Sequence, residues 1–337
     1  MTYTSQSEVM DRSAVSLAVS AAEISRYGSA PADAHSPVVP ASVLVDCVEL
    51  FKIRIVTMVL ITGWGGFYLG SLQSGVVSLH GGLLDALLGI GLVSAGAGAM
   101  NQTIEHRTDS LMGRTANRPV AAGRLSPTQG WLAGLAALAL GVAWLLLRSN
   151  LLTMALALLT ALTYVAIYTP LKRITPWSTF VGALPGAMGP LLGWTAARGR
   201  IEWPGLALFS ILFVWQFPHF MSIAWLYRAD YARAGFRMWP VVDPGGRSNA
   251  IVAVSFAALM VPVSLLPWLL GMTGSLYTVP AFALSLYYMI YTLRFTRILQ
   301  NLPEVESRRL ARELLRASIL FLPLLFAALM VCAAVRR

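Results

Sequence analysis

The chain has 337 residues, of which 57% are hydrophobic and only 12% are charged. Soluble domains carry about a quarter charged residues, so this composition excludes an ordinary soluble enzyme and indicates a protein that crosses a membrane several times. The formal net charge is +10. Because no soluble basic domain or aromatic RNA-binding platform accompanies that charge, we do not expect nucleic acid as a partner.

The first 45 residues differ in composition from the rest of the chain. Residues 1–45 are rich in Ser, Ala, Pro and Val and contain no apolar run of spanning length. Their acidic residues argue against a transit peptide, and the pattern of a signal peptide is missing. We predict a disordered cytoplasmic N-terminal tail over 1–45, followed by one intramembrane domain over 46–337. Cys47 and Cys332 are too scattered for a disulfide framework.

Beyond the tail, nine apolar runs are each long enough to cross about 30 Å of hydrocarbon as a helix of roughly 20 residues. They predict an all-α integral membrane protein with nine transmembrane helices. Arg148 to Asn150 form the only break between the third and fourth runs, which predicts a tight helical hairpin. The runs are 51–72, 82–100, 128–147, 150–169, 177–196, 204–226, 249–271, 276–295 and 317–335.

The distribution of Lys and Arg predicts the orientation, because short cytoplasmic loops carry the excess of these residues. With the N-terminus in the cytoplasm, Lys52 and Arg54 and the basic clusters after the second, fourth, sixth and eighth runs all lie on the cytoplasmic side. The polar loops after the second, fourth and sixth runs therefore meet at one mouth of the bundle. We expect the functional site to open there.

The densest polar stretch, residues 100–119, follows the second apolar run directly. Asn101, Glu105 and Asp109 are spaced i, i+4 and i+8, so on a helix they share one face. Oxygen ligands without His or Cys suit a hard cation such as Mg²⁺, which binds through one or two carboxylates and completes its shell with water and phosphate oxygens. The basic residues that follow and suit the phosphate itself are Arg114, Arg118 and Arg124.

A structural alternative exists for each charged element of this mouth. Glu105 and Asp109 would only pair with Arg107 and Arg114 on a solvated helix end. The second acidic position, Asp230, would only be neutralised by the arginines flanking it, and otherwise forms a second carboxylate wall opposite the first.

Further candidates lie in and just after the fourth and sixth runs. Tyr168 and Lys172 are one helical turn apart and, with Arg173, would sense a diphosphate, although Lys-Arg pairs at helix ends also serve only to orient a membrane protein. His219 is the histidine predicted to lie inside a span, where an ionisable residue is a functional candidate or a hydrogen-bonded packing residue. Tyr231 follows the second acidic position.

Several of these strings together resemble the UbiA-type intramembrane prenyltransferases, in the form typical of the haem O synthase branch. The first is Asn101-x3-Glu105-x3-Asp109-x2-Met112-x-Arg114-Thr115-x2-Arg118-Pro119. The others are Tyr168-Thr-Pro-Leu-Lys-Arg173 with Trp177, Trp215-Gln-Phe-Pro-His-Phe220 and Asp230-Tyr-Ala-Arg-Ala-Gly-Phe-Arg-Met238. The match covers roughly residues 45 to 335. Gly189, Arg237 and Trp239 depart from the pattern, and none of them is a candidate ligand.

The resemblance implies the reaction and the partners. It implies a UbiA-type bundle in a bacterial inner membrane that transfers a farnesyl group from farnesyl diphosphate to a vinyl group of haem b, giving haem O for haem A synthase or a terminal oxidase. More than one Mg²⁺ would bridge the diphosphate to Asn101, Glu105, Asp109 and Asp230, with basic residues neutralising the departing charge. The candidates for haem contacts are His219 and Tyr231. Alternatives are an aromatic or quinone-precursor acceptor and, outside the family, a polytopic transporter.

Overall fold

The structure is a computed structural model that describes residues 42–73 and 81–335, and all regular elements in that part of the chain are helical. Nine long helices there confirm the predicted all-α bundle. Eight are also apolar enough to cross a membrane, whereas Ser178–Arg198 is long enough but diluted by Gly and Pro. The helices are α1 (Val43–Leu50), α2 (Ile53–Gln73), α3 (Gly81–Asp109), α4 (Pro127–Arg148), α5 (Leu151–Leu162), α6 (Ser178–Arg198), α7 (Trp203–Leu226), α8 (Arg228–Arg233), α9 (Trp239–Val242), α10 (Arg247–Leu269), α11 (Thr278–Phe295) and α12 (Glu304–Val335).

The predicted span boundaries agree closely with the helices except at three places. Helix α3 continues past the predicted end at 100 to Asp109. Residues 1–41 of the predicted tail lie outside the described residues, and α1 begins at Val43, inside that predicted tail. Helix α12 begins at Glu304, well before the predicted span at 317. Acidic residues in its first turn favour the helix N-terminus, and the Arg308–Glu304 pair at 3.7 Å supports the polar extension.

Small residues let the central helices approach closely, as lipid-embedded packing requires. Helix α2 packs along α6, and α3 packs along α4. A Cβ added at Gly193 would lie 1.8 Å from the Gly63 carbonyl oxygen, and one added at Gly66 would lie 2.0 Å from the Pro190 carbonyl oxygen. Only glycine therefore permits this backbone contact between α2 and α6.

The fourth span begins with a side-chain cap at Asn150 and ends in a π-helical turn. Helices α4 and α5 form the predicted tight hairpin, with the Asn150 side chain accepting from the Thr153 amide at 2.8 Å as an N-cap. At its other end α5 continues through a π-helical turn, Thr163–Tyr168, into a last turn, Thr169–Leu171. Pro170 has no amide hydrogen and clashes with the preceding turn of an α-helix, which favours such a bulge.

Candidate active site

The polar end of α3 is buried inside the bundle rather than solvated. Asn101, Glu105 and Asp109 all belong to the helix Gly81–Asp109, so the predicted i, i+4, i+8 register is confirmed. Their exposed fractions are 0%, 6% and 1%. Two carboxylates in such surroundings require close positive partners, because burying an unpaired charge is costly. The alternative prediction, in which Glu105 and Asp109 lie on a solvated helix end, is therefore wrong.

Three basic residues from three different parts of the chain meet this buried face. The Lys172 ammonium donates to Glu105 Oε1 at 2.7 Å, and Arg118 Nη1 donates to Asp109 Oδ2 at 2.8 Å. Lys52 Nζ donates to Asn101 Oδ1. The partners of the carboxylates are therefore Lys172 and Arg118, not the Arg107 and Arg114 of the alternative prediction.

The π-helical turn places Lys172 among aromatic rings. Lys172 Nζ lies 4.6 Å from the centroid of the Tyr168 ring, as their one-turn spacing predicts, and 5.7 Å from that of Phe236. Burial lowers the pKa of Lys172, but the Tyr168 phenol and the Glu105 carboxylate raise it by more, so the net pKa is above the usual lysine value. Lys172 therefore stays cationic at neutral pH.

Lys52 is a site residue that sequence analysis places only among the cytoplasmic charges. It lies at the break between α1 and α2 with a left-handed φ of 50°, which turns its side chain toward α3. Its Nζ also lies 3.4 Å from the Tyr164 hydroxyl, while Asn101 Nδ2 donates to Thr169 Oγ1 at 2.8 Å. Burial lowers the pKa of Lys52 to about 7, and the Arg118 and Lys172 charges act in the same direction.

The loop after α3 contacts the loop that carries the second acidic position. Arg114 Nη2 donates to the Tyr231 hydroxyl at 2.5 Å, and its guanidinium lies 4.5 Å from the Tyr227 ring centroid. Met112 packs in one apolar cluster with Phe236 and neighbouring residues of the second loop. These contacts join the two walls of the predicted mouth across their rim.

The remaining predicted residues have other contacts. Asp230 forms an ion pair with Arg233 at the end of the same short helix. Arg173 is exposed, because the chain turns between it and Lys172 and directs the two side chains differently. His219 Nδ1 lies 2.8 Å from Ser318 Oγ, and its ring stacks on Trp215 at 4.8 Å between centroids, so its contacts are those of the packing alternative.

The donor set of this face fits a divalent cation only together with other ligands. Among the described residues, no three His, Cys, Asp or Glu side chains lie close enough to hold a metal ion by themselves. One carboxylate oxygen, Asp109 Oδ1, is nevertheless buried without a hydrogen-bond partner beside the oxygen donors of α3. An oxygen of this kind fits Mg²⁺ that completes its shell with phosphate oxygens and water, so the residues present suit a diphosphate-bridged ion.

Comparison with known proteins identifies close relatives. The model of the UbiA prenyltransferase family matches residues 58–304. A protoheme IX farnesyltransferase of Koribacter versatilis is 48% identical over 290 residues, covering 86% of this chain and 94% of the relative. The protoheme IX farnesyltransferase of Solibacter usitatus is 42% identical, covering 83% of this chain and 96% of the relative.

Solved structures share the fold at much lower sequence identity. A digeranylgeranylglyceryl phosphate synthase superposes with a TM-score of 0.70 at 16% identity, covering 86% of this chain and 98% of that chain. A UbiA homologue from Archaeoglobus fulgidus, bound to GPP and Mg²⁺, superposes with a TM-score of 0.60 at 18% identity, covering 84% and 99%. At this identity the likeness concerns the arrangement of helices alone.

Proposed function

The chain belongs to the UbiA prenyltransferase family, and we propose that it transfers a farnesyl group from farnesyl diphosphate to a vinyl group of haem b, giving haem O and diphosphate. The observation that carries the proposal is the 48% identity to a protoheme IX farnesyltransferase along 94% of that relative. The buried, cation-neutralised face of α3 supplies the chemistry that diphosphate departure needs. The protein is thus a transferase and not a transporter.

The cation proposed for the buried face of α3 is Mg²⁺, and more than one ion is proposed to bind there. The proposed ligands are Asn101, Glu105, Asp109 and, from the opposite wall, Asp230. A UbiA homologue bound to GPP and Mg²⁺ supports divalent metal use in the family. When bound, such ions neutralise the charge that develops on the departing diphosphate. The unpartnered Asp109 Oδ1 is the ligand atom with the clearest support, because a buried carboxylate oxygen requires a partner.

The cations that pair with the carboxylates of α3 are proposed to act on the diphosphate as well. Lys172 and Arg118 hold Glu105 and Asp109 by ion pairs, so both cations lie beside the carboxylates that would receive the metal. As the bond between C1 and oxygen breaks, they stabilise negative charge on the leaving group, with Tyr168 beside Lys172 and Arg114 at the rim. The Tyr168 and Phe236 rings flank Lys172 and offer π faces to the allylic cation left behind.

The reaction of the acceptor requires water to be excluded at one step and admitted at the next. The vinyl group of haem b donates its π electrons to C1 of the farnesyl cation, and the new carbon–carbon bond leaves a cation on the carbon next to the porphyrin. Water then adds there and loses a proton, giving the hydroxyethylfarnesyl group. Water must therefore be kept from the first cation, and the Arg114–Tyr231 hydrogen bond and the Met112 cluster are proposed to close the mouth during that step.

The test is product analysis with purified full-length protein in nanodiscs. Farnesyl diphosphate, Mg²⁺ and haem b are expected to give a product heavier than haem b by one farnesyl group and one hydroxyl, together with diphosphate. Parallel reactions receive 4-hydroxybenzoate or a naphthoate in place of haem. Farnesylation of one of these acceptors without reaction of haem b would refute the proposed acceptor and support the aromatic or quinone-precursor alternative.

The multi-pass helices place the protein in a bilayer, and the finer topology is a proposal. We place it in the bacterial inner membrane with the N-terminus and the site on the cytoplasmic side, where it would deliver haem O to haem A synthase or a terminal oxidase. Cys47 is exposed in α1, near the site, and offers a natural test. In a Cys332→Ala background, a membrane-impermeant maleimide should label inverted vesicles and not intact cells; the reverse pattern would contradict the orientation.

A further inference from the structure

Two loops run side by side next to Lys172 on the outer side of the candidate site. The Arg237 amide donates to the Lys172 carbonyl at 2.8 Å. Further along, the Trp177 and Trp239 rings meet edge to face, with centroids 5.5 Å apart and an interplanar angle of 74°. One backbone bond and one aromatic contact therefore hold these loops together and tie their surface to the residue that binds Glu105.

This surface is aromatic, and its rings pack inward against Phe180 and the buried Phe217. Trp177 is 57% exposed, so its indole is accessible from outside the bundle. Its ring lies 5.0 Å from that of Phe180, which in turn lies 4.6 Å from Phe217 in the interior. The indole nitrogen of Trp239 is buried and has no hydrogen-bond partner among the described residues. The face open to a ligand is thus that of Trp177, whereas the Trp239 N–H is covered.

The same surface carries positive charge that nothing nearby neutralises. Arg173 and Arg237 are both exposed, and neither forms an ion pair with any acidic residue in the described part of the chain. Asp243, the acid that follows this segment, instead accepts from the Ser248 amide at 2.6 Å, a bond that lowers the Asp243 pKa. The surface therefore suits a ligand that is planar, aromatic and anionic.

We propose that Arg173, Trp177, Arg237 and Trp239, together called the Trp–Arg surface, receive the haem acceptor. The exposed Trp177 indole face would contact the porphyrin plane while Trp239 supports that ring from the side, and the two guanidinium groups would bind its two propionate carboxylates. Haem b matches both features, and the surface adjoins Lys172, beside which the farnesyl diphosphate is expected. This inference rests on the proposed function, because it takes haem as the acceptor.

The four residues are expected to contribute unequally. Arg173 and Trp177 belong to the string that resembles the family, whereas Arg237 and Trp239 depart from that pattern. The latter pair is therefore an addition that strengthens haem binding in this chain. Arginine and tryptophan suit the role, since a guanidinium binds carboxylates through paired donors and an indole offers a large rigid face.

The experiment measures the KM for haem b, and haem affinity by absorbance titration, with full-length protein in nanodiscs of zwitterionic lipid. Arg173→Gln and Arg237→Gln should each raise both values about threefold, and the double variant about tenfold, as expected for exposed charge pairs. Trp177→Leu should raise them about fivefold. The KM for farnesyl diphosphate should change less than about twofold. For the dimethyl ester of haem b, the double variant and the wild type should bind alike.

Matched controls come from exposed residues elsewhere on the chain. Arg312→Gln controls for the loss of an exposed arginine, and Trp203→Leu for the loss of an exposed tryptophan. An unchanged haem affinity in the double variant, or an equal loss in the controls, would overturn the inference; the former is also the result expected if the surface holds only lipid headgroups. Wild-type protein that binds haem but does not farnesylate it would refute the proposed function, while the titrations still decide the role of the Trp–Arg surface.

Discussion

Substitutions at the buried ion pair between Lys172 and Glu105 can separate the effect of this pair on folding stability from its effect on catalysis. The two side chains are 12% and 7% exposed and lie 2.7 Å apart, so each protects the other from burial as an unpaired charge. Lys172→Met leaves the Glu105 carboxylate uncompensated, which we expect to cost about 3–5 kcal/mol of folding stability. Adding Glu105→Gln to the Lys172→Met variant removes the unpaired carboxylate charge, so the double variant should regain most of the lost stability.

Activity should behave differently from stability in this series. Lys172 is proposed to stabilise the departing diphosphate and Glu105 to hold Mg²⁺, so both single variants and the double variant should lose about two orders of magnitude or more in haem O formation. Thermal unfolding in detergent gives the stability order, and product mass gives turnover. Arg107→Met, an exposed change on the same helix end, serves as the control and should leave both unchanged.

Two results would refute this reasoning. A Lys172→Met protein that unfolds at the wild-type temperature would mean that the pair is not buried as described. A double variant that regains turnover together with stability would mean that the pair has only a structural role, and that diphosphate departure depends on other residues.

Further predictions concern the rest of the site and one ion pair at the opposite end of the bundle. Asp109→Asn should lower turnover by about two orders of magnitude, because it removes a charge from the proposed metal face. Tyr231→Phe removes the hydroxyl that accepts from Arg114 and should increase farnesol released by water at the expense of haem O. His219→Ala should lower the unfolding temperature while leaving haem affinity unchanged, because His219 packs against Ser318 and Trp215. Hydrogen bonding from Arg198 lowers the Glu202 pKa, so Glu202→Gln should cost about 1 kcal/mol at pH 7 and almost nothing once acid protonates the wild-type carboxyl.

Each of these predictions has a contradicting result. Near-normal turnover of Asp109→Asn would count against metal-held diphosphate, and an unchanged ratio of farnesol to haem O in Tyr231→Phe would remove the closure idea. Loss of haem affinity in His219→Ala, measured at a temperature where the variant stays folded, would favour haem ligation. The sign of the Glu202 effect follows from its depressed pKa: the stabilisation is present above the unfolded-state pKa and lost as pH falls through the folded-state pKa. A cost that grows in acid would therefore contradict the assignment.

Local patterns in the sequence determined the number and type of helices and the register of the first motif. Apolar runs of spanning length predict helices because a bilayer requires backbone hydrogen bonds to be satisfied within the segment. The spacing of Asn101, Glu105 and Asp109 determines a common face because the helical repeat is a local property. The one-turn spacing of Tyr168 and Lys172 likewise predicted a contact that the structure contains.

Only the tertiary structure decided which charges neutralise that face. Lys172 reaches Glu105 across 67 positions of sequence, and Lys52 reaches Asn101 across 49, because helix packing and a left-handed break bring them there. The same packing separates Lys172 from its neighbour Arg173, which sequence analysis treats as a pair. No local pattern records these pairings, since they depend on how the ends of separate helices meet and on where a chain reversal directs each side chain.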